Sequence, residues 1–175
     1  MSAAVDDDQP ALSRRLPWAA QYPRDVDWLL DIPVRPVHAL LDDAVAAFAA
    51  RPFLDFLGSR HTYAQAARLI AKAAAGFQRL GVRKGTKVGL LLPNSPYSVI
   101  CYFAILKSGG TVVNYDPLGA EQALIRQIKD SETDIMVTLD LTALYGKVAA
   151  ALAKTSLRHI VICQMAQALP FFKGL

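Results

Sequence analysis

The chain has 175 residues, enough for one domain with a real hydrophobic core, and its 53% apolar content and mean hydropathy of +0.25 exclude a disordered polymer. The net charge of +4 is scattered, with no basic run longer than two residues, as at Arg83-Lys84. Nucleic-acid binding calls for a clustered basic stripe, so this charge reads as solvated helix faces, with room only for weak attraction to anionic membranes or acidic substrates.

Residues 1–35 read as an irregular arm interrupted by Pro10, Pro17, Pro23 and Pro33, with Asp6-Asp7-Asp8 as a solvated tail and no apolar signal-peptide core. The first dozen residues are expected to be mobile, and Trp18 to Leu30 to lie along a surface. From Val37 the apolar positions 37, 40, 41, 44, 45 and 48 predict an amphipathic helix, with Pro36 suited to its first position. Phe53 to Leu57 alternates as a short strand, turned by Ser59-Arg60-His61. Thr62-x-x-Gln65 is a capping box opening a helix whose buried stripe is Ala66, Leu69, Ile70, Ala73, Phe77 and Leu80, closed by Gly81.

Lys87 to Leu92 is a strand whose continuous apolar character implies burial on both faces, as in a parallel sheet. Val88 to Leu106 carries no charge, yet Pro93-Asn94-Ser95-Pro96 near its centre would leave backbone groups unsatisfied in lipid. Two buried elements joined by a turn is the reading, with a helix over Pro96 to Lys107 ended by Gly109-Gly110. A strand over Thr111 to Tyr115 follows, then a helix over Gly119 to Lys129 with Ala120, Leu124 and Ile128 inward. Asp134 to Leu139 is a strand. Leu141, Leu144, Tyr145, Val148 and Leu152 stripe a helix, and His159 to Cys163 is the last strand. The alternation predicts an α/β fold: a doubly wound, mostly parallel sheet with helices on both faces.

In such a sheet ligands collect beyond the carboxyl ends of the strands, here Pro93-Asn94-Ser95, Asp116-Pro117-Leu118-Gly119 and the turn at Asp140. Ser95 is placed to cap its own helix, and the free N–H groups there are also able to hold an anion. Asn94 closes the turn or orients a ligand. Gly81-x-x-x-Gly85-x-Lys87 has three residues between its glycines rather than four and precedes a strand, so it is a turn and not a phosphate loop. His38, His61 and His159 are far apart and lack neighbouring acids or nucleophiles, which points to structural roles. Asp42-Asp43 and Glu121 fall on exposed helix faces, and Tyr97, Tyr102 and Phe103 at helical spacing read as core. Cys101 and Cys163 sit in apolar runs, as reduced buried thiols of a cytosolic chain, without metal-ligand spacing.

Several segments carry a resemblance in order: Tyr22-Pro23, Gly81 to Val88, Leu92-Pro93-Asn94-Ser95-Pro96, Leu106 to Asn114, Asp116-Pro117-Leu118, Lys129-Asp130-Ser131 and Thr155 to Val161. Together they resemble the N-terminal part of the long-chain fatty acid–CoA ligases, members of the AMP-forming adenylate superfamily. The resemblance implies a parent enzyme that activates a fatty acid or other carboxylic acid with ATP, forms an acyl-adenylate and pyrophosphate, and passes the acyl group to CoA. ATP, Mg2+ and CoA are then the parent's cofactors, with none expected bound to this chain alone.

The family's Ser/Thr/Gly-rich loop ending in lysine, its adenine-binding segment, its metal-contacting residues and its C-terminal lid have no match here. No catalytic, cofactor-binding or metal residue is therefore assigned. Where the family often has Asn-Pro-Leu-Tyr, this chain has Asp116-Pro117-Leu118-Gly119, which leaves the choice of acid open. The resemblance also leaves open a homodimer and a peripheral seat at a membrane for a cytoplasmic protein, and it gives no role in binding nucleic acid.

The expected organisation is an arm at 1–35, the first α/β subdomain of an AMP-binding domain at 36–165, and a truncated tail at 166–175. The apolar end Leu169-Pro170-Phe171-Phe172 reads as a chain cut in mid-sequence. Three functions fit: a scaffold piece of an acyl-CoA synthetase, inactive by itself; a stand-alone small-molecule or nucleotide-binding module; or a dimerisation or interaction module.

Overall fold

The computed structural model describes residues 18, 21–23, 25–26 and 30–170. The expectations for Asp6 to Asp8, for the first dozen residues, for much of the arm and for 171–175 lie outside the described residues. The chain forms two compact units, Met1–Arg35 and Pro36–Leu175. In the first, the Gln21 N–H donates to the Trp18 carbonyl at 2.9 Å and the Val26 N–H to the Pro23 carbonyl at 3.2 Å.

The second unit opens with α1 (His38–Phe48), two residues later than Pro36, whose carbonyl accepts the Ala39 N–H at 2.9 Å. Leu41 is its buried residue, while Leu40 and Phe48 stay exposed. A hairpin follows, β1 (Pro52–Phe56) antiparallel to β2 (Ser59–Thr62), as a separate two-stranded sheet. This corrects the expected turn at Ser59-Arg60-His61, because those residues form the second strand. The turn is Leu57-Gly58, with φ of 54° and 94°. A two-residue hairpin needs left-handed backbone at both central positions, which Gly58 tolerates and Leu57 adopts under constraint from the strands. Asp55 reinforces it, accepting the Gly58 N–H at 3.1 Å and the Arg60 Nε–H at 2.7 Å.

Next comes α2 (Tyr63–Arg79). Its capping box is formed as predicted: the Gln65 N–H donates to Thr62 Oγ1 at 3.2 Å and the Thr62 N–H to Gln65 Oε1 at 2.8 Å. Gly81 follows the helix with φ of 86°.

The rest alternates: β3 (Lys87–Leu91), α3 (Pro96–Lys107), β4 (Thr111–Asn114), α4 (Glu121–Ser131), β5 (Ile135–Leu139), α5 (Thr142–Leu152), β6 (His159–Cys163) and the short α6 (Met165–Ala168). The four strands form one parallel sheet in the order β4-β3-β5-β6. The chain enters at β3, adds β4 on one side, then crosses back to build β5 and β6 on the other. That reversal places helices on both faces, the doubly wound arrangement.

Strand alternation assigns the side chains. Val88, Leu90, Ile135, Val137 and Leu139 pack with Ile70, Phe77, Ile100, Ala104 and Ile105 of α2 and α3. Leu91 and Met136 point the other way, packing with Leu124, Ile125 and Ile128 of α4 and Val148 and Ala151 of α5. Tyr115 belongs to this second face, its hydroxyl sharing hydrogen bonds with Ser131 Oγ at 2.7 Å and Thr133 Oγ1 at 2.6 Å. Gly89 makes room for it. A Cβ there would lie 2.7 Å from both the Tyr115 ring and the Met136 sulfur.

Three helix stripes shift from their expected positions. In α2, Leu69 and Leu80 are exposed rather than buried. In α4 the inward set is Leu124, Ile125 and Ile128, because Ala120 is the N-cap residue. In α5 it is Leu144, Val148 and Ala151, with Leu141, Tyr145 and Leu152 exposed. Among the described residues, no helix is long and apolar enough to cross a membrane.

Candidate functional site

The order of strand addition reverses between the parallel neighbours β3 and β5, so the crevice at their carboxyl ends is the place where a doubly wound sheet receives a ligand. Its rim is built by Pro93-Asn94-Ser95 after β3, Asp116 to Gly119 after β4, and Asp140 after β5. Ser95 begins α3, with Pro96 in the first helical turn, where its missing N–H has no helical partner to lose. The Ser98 hydroxyl accepts the Ser95 N–H at 3.3 Å and donates to the Ser95 carbonyl at 2.6 Å. Ser95 Oγ faces the Ser98 N–H as in a capping box, but that N–H is taken by the Ser95 carbonyl at 3.1 Å. The buried Ser95 Oγ is thus left without a hydrogen bond. The expected cap is half made, by Ser98 rather than Ser95. A recess of about 300 Å3 opens here between β1 and α3, lined by Asn94, Ser95, Ser98 and Asp55.

The other rim groups hold their own loops. Asp116 Oδ1 accepts the Leu118 N–H at 2.9 Å. Asp140 Oδ1 accepts the Met165 N–H at 2.8 Å, and its backbone N–H donates to the Cys163 carbonyl at 3.1 Å. Lys147, on α5, donates to the carbonyls of Pro117 and Gly119 at 3.0 and 2.8 Å.

The Gly81–Gly85 segment lies at the opposite, amino end of the sheet. The Thr86 hydroxyl accepts the Arg83 N–H at 3.2 Å and the Thr86 N–H donates to the Arg83 carbonyl at 2.9 Å, so the segment closes on itself as a turn. The histidines do not converge. Against expectation His38 has an acidic neighbour, Asp42, at 3.4 Å one turn along α1; His159 lines a recess at the amino ends with Arg83 and Arg158, and His61 borders a different cavity beside α2. Glu121 pairs with Lys154 at 3.5 Å, and Asp42 with Lys107 at 2.5 Å. The Lys107 ammonium, hydrogen-bonded to Asp42, holds that carboxyl below its usual range. Among the described residues no group of three or more His, Cys, Asp or Glu gathers as a metal site.

A cavity of about 540 Å3 lies over β6 between α2, α3 and α6. Phe77, Ile100, Cys101, Val161 and Cys163 form its walls, and His61, Lys72 and Arg79 stand at its edge. Tyr97 pins α3 there, its hydroxyl donating to the Gln164 carbonyl at 3.0 Å. Burial pushes the Tyr97 phenol up from its ordinary value. Tyr102 and Phe103 pack against the core beside it, as their spacing predicted, in an edge-on pair with centroids 5.4 Å apart. Sequence reasoning missed Lys147, the Tyr97–Gln164 bond and the meeting of Cys101 with Cys163, because each depends on a partner tens of residues away.

Residues 41–173 match the family described as AMP-binding enzyme. The chain belongs to the AMP-binding enzyme family. This AMP-binding chain is 33% identical over 159 residues to the long-chain fatty acid–CoA ligase of Bacillus subtilis (strain 168), an overlap of 91% of this chain and 28% of that protein. It is 29% identical over 105 residues to 4-coumarate:CoA ligase 1 of Petunia hybrida, covering 59% of this chain and 19% of that one. It superposes on the crystal structure of a long-chain fatty acid–CoA ligase from Archaeoglobus fulgidus with a TM-score of 0.69 and 25% identity, over 77% of this chain and 28% of that one. The chain therefore spans between 19% and 28% of the length of these relatives.

The family name implies a nucleotide, and the rim of this chain does not by itself fit a triphosphate. Asp116 and Asp140 put carboxylates where phosphates call for cations, and the nearby cation, Lys147, is committed to two carbonyls.

Proposed function

We propose that this chain is the first α/β subdomain of an AMP-forming acid–thiol ligase of the fatty acid–CoA ligase type, in which it serves as scaffold and contributes no reacting group. The observation that carries the reading is the rim at the strand ends, where Asp116, Asp140 and Lys147 each hold a neighbouring loop in place. Groups committed to closing loops are poorly available to stabilise charge that develops in a transition state. The family match over residues 41–173 supports this reaction class; in this reading the parent uses ATP, Mg2+ and CoA on a carboxylic acid. The arm at 1–35, the subdomain at 36–165 and the segment at 166–175 are its organisation.

Purified chain given ATP, Mg2+, a long-chain fatty acid and CoA is expected to release no pyrophosphate above a protein-free blank. Steady turnover by pure material would overturn the scaffold reading. Exchanging the matching quarter of the Bacillus subtilis relative for this chain tests the other half of the proposal. Such a chimera is expected to keep acyl-CoA formation, and a soluble, folded chimera without it would count against the parentage.

A second reading, an interaction module, is favoured by the apolar cavity over β6, where Leu69 and Leu80 stand exposed beside Phe77 and Val161. It commits to the remaining part of the ligase polypeptide as the occupant, since the chain spans 28% of its relatives' length. Binding of an environment-sensitive apolar dye by the chain, abolished in the longer polypeptide, is the expected result; equal binding by both counts against it.

A further inference from the structure

Cys101 and Cys163 are 62 positions apart and lie on different elements, α3 and the last residue of β6. Three observations bring them together. Tyr97 and Cys101 are one turn apart and share a helix face, and Tyr97 is hydrogen-bonded at 3.0 Å to the carbonyl of Gln164, the residue after Cys163. Both cysteines pack in the same apolar cluster. Both line the cavity of about 540 Å3 over β6. Their thiols are free, Cys101 buried and Cys163 half-buried.

We propose that Cys101 and Cys163 are a reactive thiol pair, an oxidation site at which a small peroxide admitted by the cavity is reduced and an intrachain disulfide joins α3 to the end of β6. Half-buried Cys163 is the attacking sulfur and Cys101 the resolving one. The Cys163 thiolate attacks one peroxide oxygen, breaking the O–O bond; the sulfenic acid forms and hydroxide leaves. Cys101 then attacks the sulfenic sulfur, the S–O bond breaks, and the departing hydroxide with the Cys101 proton becomes water. Two thiols and one hydrogen peroxide thus yield one disulfide and two waters.

The electrostatics agree with this order. The interaction between the two thiols draws the Cys163 pKa down, while the same interaction and burial push Cys101 up. A half-buried sulfur with a lowered pKa beside a resolving partner is an arrangement in which oxidation can stop at a disulfide. Among the described residues, Asp140 and Tyr97 are ionisable groups beside the pair and His61, Lys72 and Arg79 line the same cavity; Asp140 opposes ionisation of Cys163. The tie would fasten the strand from which the chain passes into α6. It stands independently of the ligase assignment.

The test uses the whole reduced chain, treated with increments of hydrogen peroxide under argon and read by intact mass, thiol titration and non-reducing peptide mapping. The expected result is a monomer lighter by two hydrogens, both thiols lost together, and a Cys101–Cys163 linked peptide reversed by dithiothreitol. Cys101→Ser is expected to halt at a sulfenic acid on Cys163 that dimedone captures, and Cys163→Ser to lose most of the peroxide reactivity. Thiols that remain titratable, oxidation that yields only disulfide-linked dimers, or independent oxidation of the two sulfurs would overturn the proposal. The wild-type readout needs no variant, so misfolding of a substituted chain leaves the test intact.

Discussion

The two faces of the parallel sheet are built from the same strands and finished differently. Under α4 and α5 the centre of the face is closed, although Ile162 on β6 stays exposed: Leu91, Met136, Ile128 and Val148 are buried, Tyr115 ends in hydroxyl partners, and Gly89 is the small residue that leaves room for its ring beside β3. Under α2 and α3 the centre is equally tight, but coverage runs out before β6, leaving the cavity with Leu69 and Leu80 at its border. Two crossover helices cover the first face. The second takes one crossover helix, α3, and α2, which enters from the hairpin. A sheet face is closed only as far as its helices reach, so the open strip beside β6 is where chemistry and partners have access.

The contrast can be broken most severely at Gly89. Gly89→Ala pushes a methyl against the hydrogen-bonded Tyr115 ring, although the Met136 end can swing aside, and is expected to cost about 2 kcal/mol in urea unfolding. An unchanged midpoint would mean that the closed face is looser than its packing indicates. Tyr115→Phe removes the hydroxyl shared by Ser131 and Thr133, which still bond each other at 2.9 Å, so about 1 kcal/mol is expected by the same measurement.

On the other face, Asp42→Asn tests the outer tie between α1 and α3. Because the carboxylate is about half exposed, no more than about 0.5 kcal/mol is expected near neutral pH. The sign follows from the lowered folded-state pKa of Asp42. Its contribution is present above the unfolded carboxylate value of about 4 and is lost as pH falls through the lower folded value. Wild type and variant should therefore converge in acid; a gap that widens there would reject the ion pair. Leu80→Gln at the cavity border should leave stability within about 0.5 kcal/mol while reducing apolar-dye binding. A large stability loss would show that the strip is already closed.

Local signals carried much of this fold. The Thr62–Gln65 box, the Pro96 helix start and the uninterrupted apolar runs of β3 and β5 depend on neighbours within a few residues, and they stand where the sequence places them. The hairpin is hard to read from sequence because Leu57, a residue that rarely enters left-handed backbone, occupies the turn and hides its usual signature. The apolar stripes overreached at Leu69, Leu80 and Tyr145, since helical spacing says which side chains share a face but not whether another element covers them. At the candidate site the turn residues Asn94, Ser95, Asp116 and Asp140 were visible from strand order; their loop-holding bonds, and the exchange of roles between Ser95 and Ser98, were not.

The order of apolar runs, caps and glycines by itself determined the parallel α/β architecture and the family motifs, because backbone hydrogen bonding and side-chain periodicity are short-range constraints. Only the tertiary structure decided that Cys101 meets Cys163, that Tyr115 finds Ser131 and Thr133, and that β6 keeps an open flank. Those outcomes depend on which distant helix reaches which strand, and sheet order fixes that only once the chain has closed on itself.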